Sequence, residues 1–358
     1  MQRILEHILK PSIIKRLSNI ERFQGQWEGF YTQKKPVLID KLTQTIVVTS
    51  AGASTRIEGA ILTDAQVQDL VAKGCKISKL SSRSEREVAG YIKCLEYVYK
   101  NYDHLHLSEH TIRTLHQIMT SELLNEQLPK KQRGIYKDIP NHVIEKNMVT
   151  GEETVWFETT PPGPQTETAM YQLLKDFKML YENQEIPVII LIGVFIVSFL
   201  AVHPFRDGNG RLSRILTNWL LLHAGYHWCQ FASHEKIIED NKEKYYLSLR
   251  QTQISFFIEK PDYNPWLDYF LSILEIQADI VKQELKKQEP ISEFNKNELT
   301  VYNIIHTNGL CGISFIEENV NMTRSGLKTL LNRLVSRGFI QKKGNGKGVK
   351  YAIMNPIH

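Results

Sequence analysis

The sequence predicts a mainly helical protein with a β-hairpin flap in its central region. From the start to about residue 125, apolar residues recur at three- and four-residue spacing, which is the period of amphipathic helices. Helical patterns resume at residue 166 and continue to residue 288. The stretch between them, 129–165, is rich in β-branched and aromatic residues and ends in prolines, which predicts a hairpin or an extended flap with a turn at Gly151.

Several of these helices have recognisable ends. Thr63 and Ser108 precede helical patterns and are predicted N-caps, whereas Gly74 and Gly225 follow such patterns and are predicted stops. The most apolar run, Ile186–Val202, is at the lower limit of membrane-spanning length, and no second such run accompanies it. We therefore expect a buried central helix there and no contact with a membrane.

Composition places the chain among ordinary globular proteins. Its 358 residues are 42% hydrophobic and 23% charged, enough for two or three domains with a substantial core. The four cysteines are far apart and form no CxxC pair, which argues against a disulfide framework or a zinc site. The first residues lack the pattern of a signal peptide. These features predict a cytoplasmic location.

The region 290–358 differs from the rest in charge. It contains nine Lys and Arg against four acidic residues, and the net charge of the whole chain is +5. A polar segment at 286–297 predicts a linker, and after it come three short helical patterns and a Gly/Lys-rich hairpin, which is the order of a winged helix-turn-helix. DNA is a predicted partner, and a protein-interaction or dimerisation module is the alternative. The predicted phosphate-contacting residues are Arg324, Lys328, Arg333, Arg337, Lys342, Lys343, Lys347 and Lys350.

Residues 203–214, HPFRDGNGRLSR, follow the apolar run and combine the features of an anion site. A second helix is predicted to begin near Asn209, so that its first backbone N–H groups lack intrahelical acceptors and face an anion with the helix dipole behind them. Gly208 and Gly210 allow the backbone to approach a bulky anion closely. The segment therefore predicts a phosphate-binding loop.

Charged side chains complete this predicted site. Arg211 and Arg214 are three residues apart and share one helix face, which suits a polyphosphate. Asp207 is placed to hold Mg²⁺ between phosphates, and a neutral His203 can accept a proton from a hydroxyl. A base, a metal ligand and an anion clamp are what phosphoryl-type transfer needs.

Two other interpretations of the segment are weaker. A calcium loop starting at Asp207 fails at three required positions, which hold Arg211, Leu212 and Asn218. A histidine at a helix end is often structural, but here an acid, two arginines and two glycines surround it.

The pattern HPFxDGNGRxxR resembles the signature of the Fic domain, the helical fold of protein adenylyltransferases. The resemblance implies that His203 deprotonates a hydroxyl of a target protein, that Phe205 packs into the core, and that Asp207 binds Mg²⁺. AMP would be transferred from ATP to Ser, Thr or Tyr. The related Doc-type kinases carry Lys at the position of Gly210, so the glycine favours AMP transfer. The implied ATP-binding residues are Glu58, His203, Gly208, Asn209, Gly210, Arg211, Leu212, Ser213, Arg214 and Tyr246.

A second motif lies upstream, in STRIEG at 54–59, and resembles the inhibitory helix motif of the same family. The resemblance implies that the Glu58 carboxylate pairs with Arg214 and blocks the γ-phosphate position. The alternative is an ordinary capping segment, in which Ser54 or Thr55 caps a following helix and Glu58 lies on the surface.

Weaker similarities concern the flap and a pair of tyrosines. The hairpin at 133–160 corresponds to the family's flap, which holds the target segment as an added strand, although Lys137 stands where the family has Arg. Tyr246 and Tyr245 correspond to residues that border the adenine, and the alternative is that both are core aromatics.

Together these observations predict a mainly α chain with three parts: an N-terminal helical region (1–110) with the inhibitory motif, a Fic catalytic domain with a β-hairpin flap (111–285), and a small winged helix-turn-helix domain (290–358). The predicted function is an ATP- and Mg²⁺-dependent protein adenylyltransferase, autoinhibited by Glu58, that modifies an unidentified target protein or itself. The alternatives are removal of AMP at the same site and a DNA-binding regulator that senses a nucleotide. Family resemblance also implies a homodimer.

Overall fold

The computed structural model describes residues 1–33, 39–75, 80–146, 153–257, 261–288, 294–344 and 346–354. The chain divides into two compact units, Met1–Lys282 and Gln283–His358. The turn predicted at Gly151 and the centre of the predicted linker, 289–293, lie outside the described residues. The predicted boundary at residue 110 remains a prediction.

The first unit is mainly helical, as predicted. Its helices are α1 (Pro11–Gln33), α2 (Ile39–Ile57), α3 (Asp64–Ala72), α4 (Arg83–Asn101), α5 (Glu109–Met119), α6 (Pro164–Asn183), α7 (Val188–Val202), α8 (Asn209–His223), α9 (His234–Asp240), α10 (Lys242–Ile254) and most of α11 (Asn264–Gln288), whose residues after Lys282 belong to the second unit. Two strands, β1 (His142–Lys146) and β2 (Glu153–Glu158), pair antiparallel between α5 and α6, so the predicted hairpin is confirmed.

Capping residues begin the helices where the sequence predicts. The Thr63 side chain accepts from the N–H of Gln66, whose own side chain accepts from the backbone N–H of Thr63, so the two form a capping box before α3. Ser108 accepts from the N–H of Thr111 at the start of α5. Both predicted N-caps are confirmed.

The apolar run forms the central helix α7, and the prediction of a buried helix is confirmed because nearly every residue of α7 is buried. The helix packs against α6, α8 and α10. At Gly193, Trp266 of α11 donates from its indole N–H to the glycine carbonyl at 2.7 Å. A Cβ on Gly193 would lie 2.9 Å from Leu267 and Phe270, so the close approach of α11 requires glycine there. Among the described helices, none has the length and apolarity needed to cross a membrane.

The second unit follows the element order that the sequence predicts. Its helices are α12 (Lys296–Asn308), α13 (Ile313–Glu318) and α14 (Arg324–Ser336), and its strands are β3 (Cys311–Gly312), β4 (Ile340–Lys343) and β5 (Lys350–Ile353). The strands form one sheet in the order β3-β5-β4, in which the two-residue β3 was not predicted. Whether this unit acts as a winged helix on DNA remains a prediction.

Ion pairs within the second unit occupy part of its basic charge. Glu298 is buried, and its Oε1 lies 2.8 Å from Arg333 Nε and 3.5 Å from Arg337 Nη1. Arg324 pairs with Glu317. Three of the arginines predicted to contact phosphate are thus bound to carboxylates of the same unit, which lowers the charge available for a nucleic acid.

Candidate active site

The segment 203–208 connects α7 to α8 and presents His203 at the end of the central helix. His203 adopts the left-handed conformation (φ 52°) that ends α7. Its Nδ1 lies 3.2 Å from the carbonyl oxygen of Leu200, and because a carbonyl only accepts, Nδ1 carries the hydrogen and Nε2 carries the lone pair. Burial lowers the pKa of His203 to about 4. The imidazole is therefore neutral near pH 7, with Nε2 able to accept a proton.

Side-chain hydrogen bonds hold this loop in place. Asn209 accepts from the N–H of Phe205 at 2.9 Å and donates to the carbonyl of Phe205 at 2.7 Å. Asn141, next to β1, donates to the carbonyls of Phe205 and His203 at 2.8 and 3.3 Å. Phe205 is fully buried, as predicted. These hydrogen bonds hold the backbone that carries His203 in one conformation.

His116 of α5 also supports the loop, although nothing in the sequence distinguishes it from an ordinary helical histidine. Its Nδ1 accepts from the N–H of Gly134 at 2.8 Å, so its Nε2 donates to the backbone carbonyl of Asp207 at 3.0 Å. Its ring stacks on Phe205 with centroids 3.9 Å apart. Burial lowers the pKa of His116 to about 4, which keeps it in this neutral form.

The N-terminus of α8 is the predicted anion site. Its first intrahelical bond runs from Leu212 N–H to Gly208 O, so the N–H groups of Asn209, Gly210 and Arg211 precede the helical ladder. Gly208 caps the helix with φ 83°, and a Cβ there would lie 2.9 Å from the side chain of Met119. Glycine is therefore required at this cap.

The side chains of Leu212 and Ser213 make contacts within the protein itself. Leu212 is fully buried in the core, and the Ser213 hydroxyl donates to the carbonyl of Gly210 at 2.7 Å. A contact of either residue with ATP remains a prediction.

Four charged side chains form a closed ring beside this N-terminus. Arg211 Nη2 lies 3.0 Å from Asp207 Oδ1, and Arg211 Nη1 lies 3.2 Å from Glu87 Oε1. Arg83 lies 2.7 Å from Asp207 Oδ2 and 2.9 Å from Glu87 Oε1. Burial alone would raise the pKa of Asp207, but Arg211 and Arg83 hold it below its ordinary value, so this carboxylate is ionised. Arg83 and Glu87 were not among the predicted site residues.

The Glu58 carboxylate lies next to the N-terminus of α8, the predicted anion site. Its Oε1 is 2.8 Å from Arg214 Nη2, and a Cβ on Gly210 would lie only 2.2 Å from the same oxygen. Burial alone would lower the pKa of the Arg214 guanidinium, but the Glu58 carboxylate raises it. Ser54 lies inside α2 and accepts from Arg214 Nε at 2.8 Å, so the alternative that Ser54 or Thr55 caps a following helix is wrong.

The end of α2 that carries Glu58 is anchored by Arg56. Its Nε and Nη2 bind the two carboxylate oxygens of Glu239 at 2.5 and 3.1 Å, and Nη2 also lies 2.9 Å from Asp64. A third contact runs from Nη1 to the carbonyl of Leu62 at 2.9 Å. Bidentate Arg–carboxylate pairs are strong and directional. Arg56 therefore fixes the end of α2, and with it the position of Glu58, which directly follows this helix.

Weakening this anchor should loosen the segment. We expect Glu239→Gln to cost about 1.5 kcal/mol of local stability, because a charge-assisted bidentate pair becomes a neutral contact. The backbone N–H groups of Glu58, Gly59 and Ala60, which bond to carbonyls of α2, should then exchange with solvent about tenfold faster. Hydrogen exchange measured by mass spectrometry checks this.

Asp240→Asn is the matched control, because Asp240 forms an ion pair with Lys236, as Glu239 does, whereas the ion pairs of Arg56 are with Glu239 and Asp64. Equal exchange in the two variants would show that the Arg56 pair does not anchor the segment.

The two tyrosines have different environments. Tyr245 is buried in an aromatic cluster, with its ring 5.9 Å from that of Trp266 and 6.0 Å from that of Tyr269. Tyr246 is half-buried and donates to the carbonyl of Ile57 at 3.2 Å, next to Glu58. The core alternative thus describes Tyr245, whereas contact of Tyr246 with adenine remains a prediction.

Lys137 joins the hairpin to the end of α7. It is buried, and its Nζ donates to Asn141 Oδ1 and Thr159 Oγ1, both at 2.7 Å, and to the carbonyl of Val202 at 3.1 Å. Burial lowers its pKa to about 8. The three acceptors satisfy the ammonium next to His203, so this lysine positions the flap.

Comparisons with known proteins show which family model, proteins and folds this chain resembles. Residues 106–221 match the family model described as the Fic/DOC family. The chain is 25% identical over 173 residues to a Drosophila willistoni protein named protein adenylyltransferase Fic, a match that covers 48% of this chain and 31% of that protein. It is 30% identical over 107 residues to the Histophilus somni (strain 2336) protein adenylyltransferase and cysteine protease IbpA, which covers 29% of this chain and 2% of that protein.

Solved structures resemble the fold over a longer range. A Fic family protein from Desulfovibrio desulfuricans G20 aligns with a TM-score of 0.67 and 18% identity over 98% of each chain. A Fic domain containing signaling protein from Bacteroides thetaiotaomicron VPI-5482 aligns with a TM-score of 0.60 and 21% identity, over 75% of this chain and 98% of that one. The predicted fold class, mainly helical and of Fic type, is thereby confirmed. A segment of about a third of the chain thus matches the Fic/DOC family model, the fold resembles solved Fic structures, and the chain spans less than a third of the two relatives named protein adenylyltransferase.

Proposed function

We propose that this protein is a protein adenylyltransferase that transfers AMP from ATP to a hydroxyl group of a target protein, and that Glu58 restrains it. The observation that carries the proposal is the geometry at the start of α8. An unprotonated His203 is held beside a helix N-terminus preceded by an ionised Asp207, and a carboxylate lies over the same N-terminus. The homologues named protein adenylyltransferase support the same assignment.

His203 would act as the base. The target hydroxyl donates its proton to Nε2 while its oxygen attacks the α-phosphorus of ATP. The bond between that phosphorus and the bridging oxygen breaks, and pyrophosphate leaves with the electron pair. The proton on His203 then passes to solvent. Because Nδ1 is held by the carbonyl of Leu200, the ring keeps Nε2 directed as the acceptor throughout.

The start of α8 would bind the phosphates. The N–H groups of Asn209, Gly210 and Arg211 are donors without intrahelical acceptors, and the helix dipole adds a partial positive charge. Gly210 leaves the space above the helix open for a phosphate, because it has no Cβ there. Arg214 would bind the terminal phosphate through the guanidinium that Glu58 now occupies.

Asp207 would hold Mg²⁺. The donor chemistry fits this ion, because Asp207 is an ionised, partly exposed carboxylate next to the phosphate site, and Mg²⁺ takes few protein ligands and completes its shell with phosphate and water oxygens. When bound, the ion would neutralise charge on the phosphates.

Glu58 would restrain the reaction in two ways. Its carboxylate occupies space above Gly210 that a phosphate needs, and its negative charge repels the phosphate. It also occupies Arg214, the partner proposed for the γ-phosphate. ATP in its reactive position therefore requires Glu58 to move.

The position of the label that the protein retains from ATP distinguishes AMP transfer from phosphate transfer. With the Glu58→Gly variant and a host lysate, we expect stable protein labelling above that of the lysate alone from ATP labelled at the α-phosphate, and none above that of the lysate alone from ATP labelled at the γ-phosphate. Electrophoresis followed by autoradiography checks this, and mass spectrometry would identify the modified residue. Label retained from the γ-phosphate would instead indicate kinase chemistry and contradict the proposal.

A further inference from the structure

Arg83 occupies Oδ2 of Asp207, the carboxylate oxygen that Arg211 and Gly208 leave free. Asp207 Oδ1 already accepts from Arg211 Nη2 at 3.0 Å and from the Gly208 N–H at 2.6 Å. Asp207 Oδ2 accepts from Arg83 Nη2 at 2.7 Å. Both oxygens are thus occupied by donors of the chain itself, and two of these donors are cationic.

The two arginines differ in how freely they can leave. The Arg211 side chain is 3% exposed and lies among buried groups, whereas the Arg83 side chain is 50% exposed at the first position of α4. Displacing Arg211 from Asp207 would leave its buried Nη2 without this acceptor, which is costly even though Nη1 still pairs with Glu87. Displacing Arg83 returns it to solvent at small cost, since exposed ion pairs contribute little. Arg83 is the replaceable partner.

The local energetics of α4 do not explain an arginine at this position. A positive charge in the first turn opposes the helix dipole, and an Arg placed four residues before a Glu is the less favourable order of such a pair. The contact that benefits from Arg83 is the one with Asp207, 124 residues away along the chain.

We propose that Arg83 is an internal competitor of the divalent cation, so that a metal ion binds Asp207 only by displacing the Arg83 guanidinium. This inference rests on the proposed function only in taking Asp207 as the metal ligand. Arg83 keeps Asp207 neutralised and oriented while no metal is bound. After displacement, its Nε contact of 2.9 Å with Glu87 keeps it at the rim of the site.

Removal of Arg83 should therefore strengthen metal binding without dismantling the site, because Arg211 and the Gly208 N–H still hold Asp207. The test measures Mn²⁺ binding to the full chain without nucleotide, by the enhancement of water-proton relaxation. We expect Arg83→Gln to bind Mn²⁺ three- to tenfold more tightly than the wild type. Arg83→Lys, which keeps a cation there, should stay close to the wild type.

Two further variants complete the experiment. Arg86→Gln is the matched control, because Arg86 lies on the same helix but donates to the carbonyls of Glu122 and Leu80. Asp207→Asn should lose the Mn²⁺ site. If Arg83→Gln binds no more tightly than the wild type while Asp207→Asn loses binding, the competitor role is wrong and the metal site stands. If Asp207→Asn binds Mn²⁺ as the wild type does, the metal assignment itself is wrong.

Discussion

Replacing Glu58 by glycine is expected to raise the initial rate of AMP transfer about 100-fold, which corresponds to about 2.7 kcal/mol. The carboxylate bound to Arg214 Nη2 disappears, and with it the oxygen that lies 2.2 Å from the position a Cβ of Gly210 would take. The phosphate site and its arginine then become available together. The measurement is the initial rate of protein labelling from α-labelled ATP, at matched protein concentrations.

Two companion variants separate charge from shape. Glu58→Gln keeps the side-chain volume but removes the negative charge, so an intermediate gain would show that both matter. Glu126→Gly replaces another exposed glutamate and should leave the rate unchanged. If Glu58→Gly gives no gain and instead loses the ability to remove AMP from a modified target, the site works in the opposite direction.

Replacing His203 by alanine should lower AMP transfer by about 10³- to 10⁴-fold, at the upper end of what a general base contributes. Nε2 is the proposed proton acceptor, whereas α8 and Arg214 are the proposed contacts of the ATP phosphates, so the dissociation constant for ATP should change little. The experiment is best done in the Glu58→Gly background, where the starting rate is high. Initial rates and calorimetric ATP binding are measured on the same preparations.

The backbone of His203 needs its own control. Its φ of 52° is unfavourable for alanine but tolerated by asparagine, so a conformational effect would make the two variants differ. His203→Asn should lose transfer as completely as His203→Ala, because neither side chain is a base. Transfer that survives in both variants would exclude His203 as the proton acceptor.

The helices and the proposed phosphate-binding loop can be predicted from the sequence because the residues that specify them are close together along the chain. Thr63 and Ser108 cap helices through N–H groups three residues away, and the apolar run forms the central helix. The same holds for the loop between His203 and Arg214. Twelve consecutive residues carry the proposed base, the proposed metal ligand and the helix N-terminus, so their proximity follows from the chain itself.

Residues on other helices that contact this loop cannot be identified from local sequence patterns. Arg83 and Glu87, four apart on a helix, look like a surface ion pair until Asp207 and Arg211 close the ring. His116 shows no sign in its helix of the carbonyl it holds 91 residues later. Their roles depend on which helices pack together.

Charge counting fails for a similar reason in the second unit. Arg333 and Arg337 add to the basic excess of residues 290–358, and the sequence therefore predicts a positively charged surface that contacts phosphates. Glu298 is one of the few acids there, yet it is buried and pairs with both arginines. A count of charges cannot show which of them neutralise each other.

The sequence by itself determined the helical class and the N-caps at Thr63 and Ser108, and it predicted the chemistry proposed for the loop from His203 to Arg214, because all of these depend on residues within a few turns of chain. Glu58 could be linked to Arg214 only by resemblance, since 156 residues separate them. The tertiary structure alone decided that the Glu58 carboxylate lies over Gly210 and that Arg83 covers Asp207. Such contacts depend on how α2 and α4 pack near α8, and packing is a property of the whole fold.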